Sequence, residues 1–379
     1  MSIPLTTGVV IVAGIAALPV ARESAARVTF AEVPRNVERT LTVICEAIEA
    51  NAPAARQAPW QTYARQPDTW YRGTEGATVA ANIRSHQSRL GDWPKNVDNS
   101  SEPYRGDRTE ITGTFDNGAT VGELRFLARA FRATNDSTNR DAFVKGLDHI
   151  LAAQYPTGGW PQTSPPGKGY ARHITFNDNT MVNLMALVGD VANANEFRFV
   201  DLPRRLAARR AFDAGIGCIL KCQVKVEGTF TVWCAQHDEI TLEPRPARTF
   251  EPISLSGAES ADILIMLMRL DHPGPEVVRA VEAGARWFEK AKLIGIRETR
   301  AGGDKRIVAD SSAPALWARF YEIRTARPIF SGRDGVIKYD IAQIEPERRN
   351  GYAWYGGWGS KVAAQYARWA REKRSGAEK

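Results

Sequence analysis

Two segments of the chain repeat the same order of features, and this internal repeat constrains the fold more than anything else in the sequence. Residues 91–117 and 158–179 each carry a Trp-Pro dipeptide, a polar loop, and adjacent Asp and Asn residues before an apolar stretch. A repeated unit fixes an architecture because each copy buries its apolar face against its neighbours. The repeat predicts that Asp116-Asn117 and Asp178-Asn179 close two loops on one face of the molecule.

Apolar residues recur at helical spacing along most of the chain, which predicts a mainly helical protein. Long connections, at about 93–119, 160–179, 233–258 and 293–311, alternate with short ones. Loops longer than about 12–15 residues in compact domains are usually functional or disordered. These contain Trp, Gly and Pro, so we expect them to be ordered. The predicted helical stripes include Val121, Leu124 and Leu127; Met181, Leu184 and Met185; Ile263, Leu264 and Leu267; Val277, Val281 and Phe288; and Leu316, Phe320 and Ile323.

The alternation of loop lengths predicts the architecture. If successive helices alternate in direction, every long loop emerges at one end of the assembly and every short loop at the other. We therefore predict an all-α fold, an α/α toroid-like ring of helical hairpins whose long loops form a groove on one face. With 379 residues, 43% of them hydrophobic, the chain is long enough to bury one large core.

The chain divides into four parts by its composition. Residues 1–26 resemble a signal peptide, because an apolar run at 8–20 precedes small residues suitable for cleavage, although no Lys or Arg precedes that run. Residues 27–70 are interpreted as an irregular lead-in, 71–372 as the main domain and 373–379 as a basic tail. The apolar run is too short to span a bilayer. We expect a secreted or periplasmic monomer without a membrane partner.

The charge of the chain favours anionic partners. Lys and Arg outnumber Asp and Glu by 50 to 43, and most of the cationic residues are arginines. Arginine grips planar carboxylates and phosphates through two parallel hydrogen bonds, although genomic base composition also raises arginine content. Zinc-finger spacing, a basic zipper and an aromatic RNA-binding signature are all missing from the sequence, so nucleic acid is not an expected partner.

The four cysteines, Cys45, Cys218, Cys222 and Cys234, are too few and too irregularly spaced for a disulfide framework. Cys218 and Cys222 are four positions apart in an apolar stretch, which places them on one helix face as buried thiols. A bridge between Cys222 and Cys234 remains open from the sequence.

The paired Asp-Asn segments allow three interpretations. They can cap helices, since both side chains accept hydrogen bonds from a first helical turn. Alternatively, Asp116 and Asp178 can share a hard cation such as calcium, which prefers carboxylate and carbonyl oxygens, or act as the acid and nucleophile of a glycosidase.

The third and fourth long loops are rich in arginine. Prolines on both sides of Arg248 stiffen the backbone that presents it, although a structural pairing of Arg248 with Glu251 or Glu259 would also explain its position. Between 327 and 358, arginines alternate with turn residues and aromatics, a mixture that suits a carbohydrate or uronate groove. A salt-bridged surface loop is the alternative there. His173 lies in the second long loop, where its simplest role is a hydrogen bond that orders the loop.

Together these segments resemble the pectate lyases of polysaccharide lyase family ten. The resemblance covers about residues 70–366 and depends on six motifs in order, at 93–96, 115–120, 158–162, 173–179, 233–238 and 327–356. It implies a helical toroid-like fold with a wide groove that cleaves polygalacturonate by calcium-assisted β-elimination. The sequence departs from the family at Asp92, where the family usually has Gly, and at Arg324 and Ala326, where Gly and Asn are more frequent.

The resemblance also implies roles for particular residues. It implies that Arg248 is the Brønsted base and that Asp116 and Asp178 surround Ca²⁺. The implied substrate-binding residues are Lys95, Asn117, His173, Arg333 and Arg349. Abstraction of the C5 proton builds negative charge on the adjacent C6 carboxylate, which a cation and fixed guanidinium groups would stabilise. Free guanidinium loses a proton only near pH 12 or above, so an alkaline optimum is expected.

Two other functions remain open from the residues alone. One is a glycoside hydrolase on the same helical ring, using Asp116 and Asp178 as its two carboxylates. The other is a protein that binds uronates without catalysis.

Overall fold

The computed structural model describes residues 58–377, and most of its helices form antiparallel pairs. The predicted signal peptide, at 1–26, and most of the lead-in, at 27–70, lie outside the described residues. The helices are α1 (Trp60–Ala64), α2 (Asp68–Arg72), α3 (Thr74–Ser85), α4 (Val121–Thr134), α5 (Ser137–Ala153), α6 (Thr180–Asn193), α7 (Leu202–Cys222), α8 (Gly257–Leu267), α9 (Pro275–Ala291), α10 (Pro346–Gly351) and α11 (Trp358–Ala377).

The helices form the predicted hairpins. Helices α4 and α5, α6 and α7, and α8 and α9 pack as pairs joined by short connections, and α11 packs against α8 and α9. Helices α4, α6 and α8 each follow a long loop, so the long loops meet at the N-terminal ends of these three helices. The prediction of an α/α toroid-like ring with an elaborated face is confirmed.

Short strands join the long loops to one another. The strands are β1 (Ile174–Thr175), β2 (Lys225–Val226), β3 (Thr229–Phe230), β4 (Gln236–His237), β5 (Leu255–Ser256), β6 (Ile296–Ala301), β7 (Asp304–Ala309), β8 (Trp317–Ala318), β9 (Phe320–Tyr321), β10 (Pro328–Ser331), β11 (Ile337–Lys338) and β12 (Tyr355–Gly356). Strands β5, β9, β10 and β11 form one sheet, β6 and β7 form a hairpin of two six-residue strands, and β1 pairs with β4.

The helical stripe predicted at Leu316, Phe320 and Ile323 is wrong. This segment contains β8 and β9, which pair with β12 and β5 respectively. Residues 317–321 are all buried or nearly so, so the run lacks the polar face of an amphipathic helix. Pairing with strands distant in sequence, rather than local periodicity, decides its conformation.

The repeat extends from two copies to four in three dimensions. Four buried tryptophans each donate the indole N–H to a backbone carbonyl of a preceding helix, which ties the start of a long loop to the ring. The pairs are Trp93 with Ile83 (2.7 Å), Trp160 with Ile150 (2.9 Å), Trp233 with Ile219 (2.7 Å) and Trp317 with Phe288 (2.8 Å). Buried polar groups require such partners.

A second set of hydrogen bonds links each repeat to the next. The amides of Phe115, Phe176 and Gly257 lie near the ends of the first three long loops. Each donates to the carbonyl of the residue two positions after the next tryptophan. The pairs are Phe115 with Gln162 (2.9 Å), Phe176 with Ala235 (2.9 Å) and Gly257 with Arg319 (2.8 Å). The loop ends are therefore fixed side by side around the ring.

The described part of the lead-in packs on the same core. Tyr63 and Phe126 contact each other edge to face, with ring centroids 5.4 Å apart. Cys218 and Cys222 lie on one buried face of α7 with their Sγ atoms 3.9 Å apart, and Cys222 and Cys234 are not bridged. In the described part of the chain, each helix is too short or too polar to cross a membrane.

The turn between β9 and β10 contains a strained residue. Ala326 has φ +53°, in the left-handed region that is costly for a residue with a Cβ. We expect Ala326→Gly to raise the free energy of unfolding by about 0.5–1 kcal/mol, measured by urea unfolding. Ala207→Gly in α7 is the matched control and should lower it, since Gly is unfavourable inside a helix. An Ala326→Gly variant no more stable than the parent would contradict the prediction.

Candidate active site

Two short 3-10 turns, Asp116–Gly118 and Asn177–Asn179, lie in contact at the centre of the loop-bearing face. Each follows a fully buried phenylalanine, Phe115 or Phe176. The second residue of each turn has a left-handed backbone, with φ 52° at Asn117 and 50° at Asp178, a conformation that Asn and Asp tolerate better than other side chains.

This backbone match corrects the register of the sequence repeat. Asp116 is structurally equivalent to Asn177, and Asn117 is equivalent to Asp178. The two Asp-Asn pairs are therefore offset by one residue. Asp116 is buried, whereas Asp178 is partly exposed. The two carboxylates occupy different positions in their turns, so they have different surroundings.

The Asp116 carboxylate is held by three donors. Its Oδ2 atom accepts hydrogen bonds from Lys95 Nζ at 2.9 Å and from Gln162 Nε2 at 2.7 Å. Its Oδ1 atom accepts the amide of Asn117 at 3.0 Å. Lys95 and Gln162 each lie two residues after a repeat tryptophan, which brings both beside the same turn.

Asp178 lies beside a buried arginine. Arg319 Nη2 donates to Glu259 Oε1, and it contacts Asn177 Oδ1 at 3.2 Å and Asp178 Oδ1 at 3.4 Å. Burial raises the pKa of Asp178; Arg319 opposes this rise, while the negative charges of Asp116 and Glu259 add to it. Lys95 on Asp116 and Arg319 beside Asp178 and Glu259 therefore supply two positive charges against three carboxylates, which leaves one negative charge in excess.

Arg248 is held by a carboxylate on its own loop. Its Nε and Nη2 atoms donate to Glu251 at 2.9 and 2.6 Å, and its backbone amide donates to the same carboxylate at 3.1 Å. Tyr352 donates its hydroxyl to Glu251 at 2.7 Å. The Tyr352 ring lies near two guanidinium groups, 5.9 Å from Arg248 and 4.7 Å from Arg319. Tyr352 therefore connects the Arg248 and Asp178 sides of the site.

Three arginines surround the buried ring of Phe250. The guanidinium carbons of Arg248, Arg333 and Arg348 lie 4.9, 5.4 and 4.3 Å from its centroid. Burial lowers the pKa of Arg348, and the charges of Arg333 and Arg248 lower it further, against the opposing effect of Glu347. This cluster is a concentration of positive charge suited to carboxylate groups.

Arg349 is not part of this cluster. Its Nε and Nη2 atoms bind Asp304 of β7 at 2.9 and 2.7 Å, and Nη1 donates to the carbonyl of Ile344 at 2.6 Å. These contacts give Arg349 a structural role in attaching the β6–β7 hairpin to α10. Its neighbour Arg348 faces Phe250 instead. A substrate-binding role for Arg349 stays a prediction, and Arg348 is a further candidate for that role.

The other predicted substrate-binding residues differ in position. Lys95 contacts Asp116, and Asn117 lies on the exposed side of the same turn. Arg333 binds Glu347 and also belongs to the Phe250 cluster. His173 contacts Glu239 at 3.1 Å, a hydrogen bond that orders the second loop. A substrate role for these four residues stays a prediction.

Two groups of side chains have the composition of a cation site. His173, Asp238 and Glu239 lie close together, but arginines already neutralise both carboxylates, Arg245 on Asp238 and Arg172 on Glu239. The turns of Asp116 and Asp178 instead combine carboxylate and amide oxygens with excess negative charge. Oxygen donors with excess negative charge suit Ca²⁺, so Asp116 and Asp178 are the residues that fit it.

Sequence reasoning missed Arg319 and Tyr352, and it considered Glu259 only as a partner for Arg248. Arg319 lies two residues after Trp317, the position occupied by Lys95 and Gln162 in the first two repeats. The spacing of Arg319 from Trp317 could therefore have indicated a site residue, but only if the fourth copy of the repeat had been recognised in the sequence. Glu259 is the third residue of α8 and accepts the Ser256 hydroxyl.

A helical ring whose loop face combines carboxylates with an arginine cluster defines an enzyme of the α/α-toroid class that acts on an acidic polysaccharide. The pectic acid lyase family model matches residues 87–363, and the chain belongs to this family. It is therefore an enzyme of the pectate lyase class. A comparison with curated proteins found no match.

Two solved structures support this assignment. The chain is 35% identical to the family 10 polysaccharide lyase from Cellvibrio cellulosa, with a TM-score of 0.72 over 82% of this chain and 97% of that one. It is 34% identical to a mutant of the same enzyme in complex with trigalacturonic acid, with a TM-score of 0.72 over 82% of this chain and 98% of that one.

Proposed function

We propose that this enzyme cleaves polygalacturonate outside the cytoplasm by calcium-assisted β-elimination, as a monomer, with Arg248 as the Brønsted base. The observation that carries the proposal is the juxtaposition of two opposite charge clusters. The Asp116 and Asp178 turns supply oxygen ligands, while Arg248, Arg333 and Arg348 supply cations around Phe250. An anionic sugar bound between them would meet both.

The reaction needs a base at C5 and charge stabilisation at C6. Arg248, after losing a proton to solvent, accepts the C5 proton as the neutral guanidine; the C5–H electron pair forms the C4–C5 double bond, and the C4–O4 bond breaks with O4 taking a proton from solvent. Arg319, Arg333 and Arg348 bind uronate carboxylates as fixed cations. Bound at Asp116 and Asp178, Ca²⁺ would stabilise negative charge on the C6 carboxylate.

The ion pair with Glu251 opposes the base role in the free enzyme. Burial would lower the pKa of Arg248, but the hydrogen bonds and charge of Glu251 outweigh it and raise that pKa above its usual value. Deprotonation therefore requires positive charge beyond that of the neighbouring arginines, which a cation bound at Asp116 and Asp178 would supply. The rate should accordingly rise toward alkaline pH.

The direct test is an ultraviolet assay with purified enzyme, polygalacturonate and Ca²⁺. Unsaturated oligogalacturonides absorb in the ultraviolet because elimination creates a C4–C5 double bond conjugated with the carboxylate. A glycoside hydrolase would release reducing ends without new absorbance, and a binding protein would release neither. Absence of absorbance from a folded sample at alkaline pH would refute the proposal.

A further inference from the structure

A cavity of about 710 Å³ opens beside the second long loop, and the proposed reaction does not use it. Tyr155, Pro156, Pro166 and Ile240 supply apolar surface to its wall, and Ile240 is 73% exposed. Pockets that bind small molecules have volumes of about 300–1,000 Å³ and combine apolar walls with a few polar groups. This cavity therefore has the size and the surface of a ligand site.

The charged groups of this cavity favour an anion. Lys168 and Arg172 are the cations in its wall, and Glu239 is the carboxylate. Arg172 and His173 both contact Glu239, whose side chain is 8% exposed. These contacts compensate the carboxylate, so the excess positive charge of the cavity is that of Lys168, which is exposed.

The backbone holds Lys168 at the tip of a stiff segment. Two prolines at 165–166 restrict the chain before it. Gly169 after it has φ +64°, a left-handed conformation that suits glycine. The amide of Gly167 donates to Thr163 Oγ1 at 3.1 Å, which closes the segment. The segment therefore limits the region that the Lys168 ammonium group can reach.

A single turn, Gly169–Arg172, joins the cavity to the candidate active site. Arg172 at the end of this turn lines the cavity. The carbonyl of Ala171 accepts the amide of Gln162 at 2.9 Å, and the Gln162 side chain donates to Asp116 at 2.7 Å. A polymer bound beside Asp116 that continues across the turn therefore meets the cavity next.

From this placement we propose that the cavity is a distal subsite for a further galacturonate residue of the substrate chain, with Lys168 binding its carboxylate. The apolar face of the sugar ring would lie on the wall that contains Tyr155 and Ile240. An excess positive charge selects a uronate over a neutral sugar. The inference rests on the proposed function for the identity of the polymer, and it does not depend on which residue removes the C5 proton.

The test compares trigalacturonate with hexagalacturonate, because the longer chain can occupy the catalytic subsites and the cavity at once. The ultraviolet assay gives kcat/KM for each oligomer. Lys168→Ala should lower kcat/KM for hexagalacturonate about 3–5-fold and leave that for trigalacturonate unchanged. Lys168→Arg keeps the positive charge and should retain the parent ratio of the two values.

Ile240→Asp tests the subsite from another part of its wall. It adds a negative charge at an exposed position, so it should lower kcat/KM for hexagalacturonate about 3–10-fold through repulsion of the uronate. Lys290→Ala is the matched control, because Lys290 is an exposed lysine in the last turn of α9. It should leave the ratio of the two substrates unchanged. Thermal melting checks that each variant is folded, and if one subsite variant fails to fold the other decides.

The outcomes separate this inference from the proposed function. If folded Lys168→Ala and Ile240→Asp both keep the parent ratio, the cavity is not a subsite and the inference is overturned. An equal loss on both oligomers overturns it too, because a distal subsite affects only the longer chain. If the parent forms no unsaturated product, the proposed elimination fails, and the Kd values of the same oligomers, measured by calorimetric titration of the parent and the variants, decide the subsite separately.

Discussion

Replacement of Arg248 by Ala should abolish most of the lyase activity, with kcat falling by about 10³-fold or more across the alkaline range. The physical reason is that Arg248 is the proposed proton acceptor, and the described site offers no equivalent base beside it. Glu251 is occupied by hydrogen bonds, and Asp116 is held by Lys95 and Gln162. KM should change far less, because Arg333 and Arg348 would still bind uronate carboxylates.

The matched control is Arg245→Ala. Arg245 lies on the same proline-rich loop and also makes a two-nitrogen contact with a carboxylate, Asp238, but it is not part of the Phe250 cluster. It should retain nearly all of the activity. Added guanidine should partly restore Arg248→Ala by filling the vacated space. An Arg248→Ala enzyme with kcat within about 10-fold of the parent would exclude Arg248 as the base.

Chelation of divalent cations with EGTA should lower the rate at least about 10²-fold, and added Ca²⁺ should restore it. Asp178→Asn should then require at least about 10-fold more Ca²⁺ for half-maximal rate, since it removes a carboxylate ligand. The pKa of Asp178 is raised chiefly by burial. Nearby positive charge therefore does not fully offset the cost of burying its ionised carboxylate in the free protein. Binding of a cation there would relieve that cost.

Asp190→Asn is the control for Asp178→Asn. Asp190 lies near the other end of α6, where it pairs with Arg125 at the surface. It should leave the Ca²⁺ concentration for half-maximal rate unchanged. Full activity in EGTA would contradict the calcium prediction, and an unchanged Ca²⁺ requirement in Asp178→Asn would remove Asp178 from the ligand set while leaving the metal requirement intact.

Much of the fold could be predicted from local patterns. Helical periodicity located α4, α6, α8 and α9, and the alternation of long and short connections predicted that the long loops meet on one face. These features are local, since an apolar stripe needs only its own spacing to indicate a helix. The helix predicted at 316–323 is wrong, because this segment forms strands that pair with residues far away in the chain.

The candidate site was predictable only in part. The loops that carry Asp116, Asp178, Arg248 and Arg333 were visible as motifs, and the possible pairing of Arg248 with Glu251 could be named from their spacing. The sequence could not indicate which of the adjacent Arg348 and Arg349 lies beside Phe250, because the two differ only in their partners in the folded protein. Asp304, 45 positions from Arg349, decides that choice.

The sequence by itself determined the repeat, the helical class and the loops that hold the chemistry, because each depends on neighbouring residues. Only the tertiary structure decided the offset between Asp116 and Asp178, the clamp of Glu251 on Arg248, and the place of Arg319. Arg319 contacts Asn177 from 142 positions away. Such a contact exists because the ring brings the second and fourth repeats together, and no local sequence pattern indicates which charges will meet there.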